Sequence, residues 1–107
     1  MVYGYAGKYL DINLTDNSIK TLPIDMDLAK KMVGGLTYGL YLLWKRTKPG
    51  INPLSPENLL IFGTGPISGL VGTSRGTVIF KSPLTQLIGH AECGGHWVPE
   101  LKFAGYD

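Results

Sequence analysis

The stretch from Glu92 to Asp107, "ECGGHWVPELKFAGYD", decides how this chain is read. Gly94 and Gly95 give the backbone freedom for a sharp junction, and the residues from about His96 to Ala104 carry the marks of a short helix. Pro99 falls in its first turn, where N–H groups have no helical partner to lose. Glu100, Leu101 and Phe103 continue the helical pattern, and Leu101 and Phe103 are expected to be needed for folding. A strand therefore runs into the turn and a helix leaves it. Small and aromatic residues after a helix ordinarily return a chain to a sheet. A further strand is thus expected past Asp107, with the fold incomplete at its C-terminus.

Upstream of this turn, the apolar runs "LLIF" (59–62), "TVIF" (77–80) and "QLIGHA" (86–91) are separated by Gly, Pro, Ser and Thr, the pattern of buried strands joined by tight loops. Lys8 to Leu14 alternates, with Leu10, Ile12 and Leu14 on one side, which predicts a half-buried strand. "TDNS" turns the chain, and Ile19 to Ile24 returns as the second arm of a hairpin. Asp25 or Asp27 can cap a helix running to Val33. Gly34-Gly35 breaks it, and a second helix from Leu36 to about Arg46 sets Leu36, Leu40 and Leu43 on one stripe. The proline-rich "TKPGINPLSPEN" (47–58) reads as an ordered surface connection. The residues thus predict an α+β fold: a β-rich base, a broken helical hairpin packed on it, and a C-terminal helix.

Bulk properties narrow the function. A chain of 107 residues is one domain, too small to enclose a large cofactor without displacing its own core. The net charge of +2 is spread without any run of like charge, which predicts no nucleic-acid partner. Apolar stretches fall short of the roughly 20 residues that span a bilayer. No membrane partner and a cytoplasmic location are therefore expected. Cys93 is the single cysteine, so these residues cannot hold an iron–sulfur cluster, which usually takes four thiolates.

Three segments could carry chemistry. In "GTGPISGLVGTSRGT" (63–77), Arg75 is the sole charge between Asn58 and Lys81, and such loops either cradle an anion beside an arginine or simply turn between strands. His90, Cys93 and His96 have the spacing of metal ligands on a helix. On a strand, however, His90 and Glu92 point one way and Cys93 the other. The junction at Gly94-Gly95 places a helix N-terminus at a strand end, which is either an anion site or a plain strand-to-helix turn.

"DLAKKMVGG" (27–35), "YLLWK" (41–45), "NPLSPENLLIFGTGPISG" (52–69), "KSPLT" (81–85) and "GGHWVPELKFAGYD" (94–107) occur in one order and spacing. Together they resemble the N-terminal domain of the tungsten-dependent aldehyde ferredoxin oxidoreductase family. That resemblance covers nearly all of the chain. It implies two β-sheets forming a base under a bis-pterin cofactor of tungsten or molybdenum, making residues 1–107 a partial tungstopterin-binding domain. It implies that Arg75 contacts the pterin and that the backbone carbonyl of Glu92 meets the magnesium joining the pterin phosphates. It implies as well that Gly94, with Gly95, helps to hold the cofactor.

The resemblance assigns the complete enzyme the oxidation of aldehydes to carboxylic acids. A 4Fe-4S cluster held in later domains passes the electrons to ferredoxin or another electron-transfer subunit, and a homodimer is a further expected partnership. The segment by itself is not expected to be catalytic. Two features depart from aldehyde-oxidising members: Glu92-Cys93 stands where they have Asn-Ser, and Thr73-Ser74 where they have Gly-Gly. "GGHWVPELK" is similar to the branch containing the tungsten subunit of benzoyl-coenzyme A reductase, so an aromatic acyl-coenzyme A reductase is the alternative. A stand-alone anion-binding module without catalysis is the other.

Overall fold

The computed structural model describes residues 4–70 and 75–107. Strands β1 (Lys8–Asn13) and β2 (Ser18–Pro23) form an antiparallel hairpin in which Ile12 faces Ile19. Asn17 adopts φ 56, and Asp16 Oδ1 accepts the Ser18 N–H at 2.9 Å, so the expected turn forms for the expected reason. The hairpin's apolar side is not its buried one. Ile12, Leu14 and Ile19 are exposed, whereas Asp11, on the opposite side, pairs with Arg46 at 3.0 Å.

Helix α1 (Met26–Met32) is capped by Asp25, whose Oδ1 accepts from Asp27 N at 3.0 Å and Leu28 N at 3.1 Å. It ends at Val33, a β-branched residue at φ 66, whose carbonyl accepts the Tyr5 hydroxyl at 2.7 Å. Gly34 then reverses the chain at φ 123, and α2 (Gly35–Arg46) follows. The broken helical pair is as the sequence predicts.

The second sheet has the order β3 (Ile61–Gly63), β4 (Arg75–Lys81), β5 (Ile88–Gly94), all antiparallel. Its two faces are set by glycines. On one face α2 lies so close that a Cβ on Gly39 would stand 2.3 Å from Ile79 Cδ1, and one on Gly63 would stand 3.0 Å from the Gly35 carbonyl oxygen. On the other, α3 (Trp97–Phe103) rests its first turn on Gly76, where a Cβ would meet Trp97 at 2.2 Å and Val98 at 2.8 Å. Ile79 and Val98, one on each side of β4, are fully buried.

Two expectations about packing change. The closest approach of α2 to the sheet is made at Gly35 and Gly39, where the lack of a side chain lets the backbones come together, while of the three expected leucines Leu43 is buried and Leu36 and Leu40 are half-buried. Phe103 is 70% exposed, and Val98 supplies the anchor of α3 instead.

Polar side chains tie the segments together. Asn58 donates to Pro53 O at 2.8 Å and Lys81 O at 3.0 Å, fastening the connection to the end of β4. Asp107 accepts from Ala6 N at 3.1 Å and Gly7 N at 2.7 Å and pairs with Lys102, both side chains being nearly buried. Its backbone N–H donates to Lys8 O at 3.0 Å, and its carbonyl accepts from Thr64 N at 2.9 Å.

Candidate cofactor site

β4 begins with Arg75 and β5 ends with Gly94, and the register places these two residues opposite each other. One step along the same face, Thr77 lies opposite Glu92. This face also carries Ile79, so Arg75 and Glu92 emerge on the α2 side of the sheet, at its end. Arg75 Nη1 stands 3.3 Å from Glu92 Oε2, with 78% of the Arg75 side chain and 46% of the Glu92 side chain exposed. The turn that follows presents bare backbone. Gly95 has φ +114, a conformation that favours glycine, and a Cβ there would meet nothing within 4 Å.

Behind the turn, packing fixes the start of α3. Trp97 lies over Gly76 and meets Phe62 edge-on, with ring centroids 6.1 Å apart and planes at 84°. Gly76 is the site-forming residue that sequence reasoning missed. Its signal was present, since a glycine inside a strand often marks a close approach of another element.

The other two segments resolve differently. His90 lies opposite Ile79 on the face of Glu92, while Cys93 lies opposite Gly76 on the other face, and His96 precedes α3 as its N-cap residue. Among the described residues, no group of three His, Cys, Asp or Glu side chains could hold a metal ion. In the Gly-rich segment, the Gly65 N–H is donated to Ser68 Oγ at 3.0 Å and the Ser68 N–H to Gly65 O at 3.1 Å. That part of the loop binds itself, as a turn does. Thr73-Ser74 lies outside the described residues. With seven residues, α3 aligns fewer than two full turns of peptide dipoles.

The geometry defines a class: a small two-sheet α+β domain presenting an arginine, a carboxylate and a glycine turn at one sheet end. Residues 9–107 match the family described as "Aldehyde ferredoxin oxidoreductase, N-terminal domain". The chain is similar to the tungsten-containing aldehyde ferredoxin oxidoreductase of Pyrococcus abyssi, at 47% identity over 99% of this chain and 18% of that protein. It is also similar to the aliphatic sulfonate oxidoreductase, WOR-like subunit, of Pyrococcus furiosus, at 36% identity over 99% of this chain and 18% of that protein. Among solved structures, the active site complex BamBC of benzoyl coenzyme A reductase, in complex with 1,5 dienoyl-CoA, superposes with a TM-score of 0.96. That match has 41% identity and covers 100% of this chain and 17% of the other. The chain belongs to the aldehyde ferredoxin oxidoreductase family, as its N-terminal domain. It spans 18% of the length of the curated relatives it matches.

Proposed function

We propose that this chain is the cofactor-binding N-terminal segment of a tungstopterin oxidoreductase that oxidises aldehydes to carboxylic acids. The observation carrying this reading is the 47% identity, over nearly the whole chain, to a tungsten-containing aldehyde ferredoxin oxidoreductase. In this reading residues 1–107 form part of the tungstopterin-binding domain of a cytoplasmic enzyme. The remaining domains complete the site, and ferredoxin or another electron-transfer subunit takes the electrons. A homodimer belongs to the same proposal.

The residues at the end of β4 and β5 fit such a group. An exposed guanidinium is a planar donor suited to the nitrogen and oxygen edge of a pterin or to its phosphate. The bare turn at Gly95 admits close approach of a flat ligand to the backbone. Arg75 would donate to the pterin, Gly94 and Gly95 would line it, and the backbone carbonyl of Glu92 would face the magnesium ion. The tungsten or molybdenum bis-pterin supplies two-electron oxidation and reduction when bound. A 4Fe-4S cluster needs thiolates from other domains, since this segment has one cysteine.

A second reading, the tungsten subunit of an aromatic acyl-coenzyme A reductase, is favoured by the TM-score of 0.96 to BamBC. The complete protein, assayed anaerobically with a viologen dye and a panel of aliphatic and aromatic aldehydes, separates the two. Dye reduction with aldehydes supports the first reading. Its absence, with turnover of a cyclic dienoyl-coenzyme A instead, replaces the first reading by the second. A purified complete protein lacking both tungsten and molybdenum would overturn both.

A further inference from the structure

We propose that Glu92 is a positioning residue for Arg75: its carboxylate holds the guanidinium in the orientation from which that group meets the pterin. The inference rests on the cofactor reading of Arg75 given above. Arg75 and Glu92 are diagonal neighbours across the β4–β5 ladder, Arg75 being opposite Gly94 and Glu92 opposite Thr77. Diagonal pairs on one face of an antiparallel sheet are within reach of each other when the side chains are long. Their contact of 3.3 Å joins one guanidinium nitrogen to one carboxylate oxygen.

Stability does not account for this pair. Exposed ion pairs contribute little to folding, and the Arg75 side chain is 78% exposed. What the pair changes is freedom. A long arginine side chain gives up many rotamers on binding a ligand, and a contact already made within the protein removes part of that cost. Gly94, opposite Arg75, and Gly95 have no side chains with which to do the holding. One carboxylate contact also leaves the guanidinium its chemistry, since the group has five N–H donors.

Charge points the same way. Glu92 compensates Arg75 at the sheet end, so Arg75 serves as a directional donor toward a heteroatom edge more than as an attractor of phosphate.

The test is a double-mutant cycle in the complete protein, using Glu92→Ala, Glu92→Gln, Arg75→Lys and the Glu92→Ala/Arg75→Lys pair. Tungsten per chain is measured by mass spectrometry and pterin by the fluorescence of its oxidised form, both after expression with limiting tungstate. The apoprotein melting temperature is measured alongside. Glu92→Ala is expected to lower both contents by roughly two- to fivefold, the coupling of a partly exposed charged pair. Glu92→Gln, which keeps an acceptor oxygen, is expected to restore most of them. Adding Glu92→Ala to Arg75→Lys should cause no further loss. The inference is overturned if Glu92→Ala keeps the parental contents, if the two losses multiply, or if a fall in melting temperature accompanies the loss. If Arg75→Lys keeps the parental contents, the cofactor reading of Arg75 falls first and takes the inference with it.

Discussion

Arg75 could be singled out from the sequence because it is the one charge in a long apolar and Gly-rich stretch, and Gly94-Gly95 because paired glycines mark a backbone junction. The partner of Arg75 could not be. Glu92 lies 17 residues away, and only the strand register converts that separation into a contact of 3.3 Å. Lysine in place of Arg75 keeps the charge and loses the planar fork. Arg75→Lys is therefore expected to weaken cofactor binding roughly ten- to a hundredfold, the loss typical of a charge-assisted hydrogen bond. Because the side chain is mostly exposed, the apoprotein should melt at the parental temperature. Metal analysis and a thermal scan of the same preparation check both halves. Unchanged metal with earlier melting would make Arg75 a structural residue.

Element boundaries were largely legible, because caps and breakers act locally: Asp25 starts α1, Gly34 ends the reversal, and "TDNS" turns the hairpin. Which face each element buries was less so. Hydrophobic periodicity selected Leu36, Leu40 and Leu43, of which Leu43 is buried, yet α2 comes nearest the sheet at Gly35 and Gly39, where close approach outweighs apolar bulk. The same close packing makes Gly76 sensitive. Gly76→Ala forces both Trp97 and the fully buried Val98 to move, and should destabilise the domain by about 1–3 kcal/mol, the usual cost of overpacking. Chemical denaturation with the Trp fluorescence as probe measures it.

On the other side of the sheet, burial raises the pKa of the Tyr38 phenol, whose oxygen accepts the Asp25 N–H at 3.2 Å. A raised folded-state pKa favours the neutral phenol in the folded protein. Its stabilising contribution is complete below the unfolded value of about 10 and is lost as pH rises through the folded value. Tyr38→Phe should cost about 0.5–1.5 kcal/mol at neutral pH for the lost hydrogen bond. It should also flatten the decline in stability above pH about 10, which denaturation at pH 8 and pH 11 would compare.

At the scale of the molecule, the short apolar runs and the helix signals identified the α+β class of the domain. Its closure depends on a residue that carried no signal, since an aspartate after "AGY" looks like any polar terminus of a helix. Asp107 joins the entry to β1, the exit of β3 and the last turn of α3. Asp107→Ala leaves Lys102 nearly buried without its counter-charge and should cost about 3–5 kcal/mol. Lys102→Met/Asp107→Ala, which removes both charges, should recover part of it. Equal loss in the single and double variants would show that the backbone contacts, and not the ion pair, close the domain.

The two ends of this clasp lie 100 residues apart in the chain. During synthesis the hairpin is complete at Pro23, well before Asp107 is added, by roughly 4–17 s at ordinary elongation rates. Through that interval the two-stranded ribbon, a size of sheet that is at best marginally stable alone, lacks the contacts by which Asp107 ties its entry to β3 and α3. Slowed translation of the segment between them would lengthen the time in which nascent chains can associate through that ribbon.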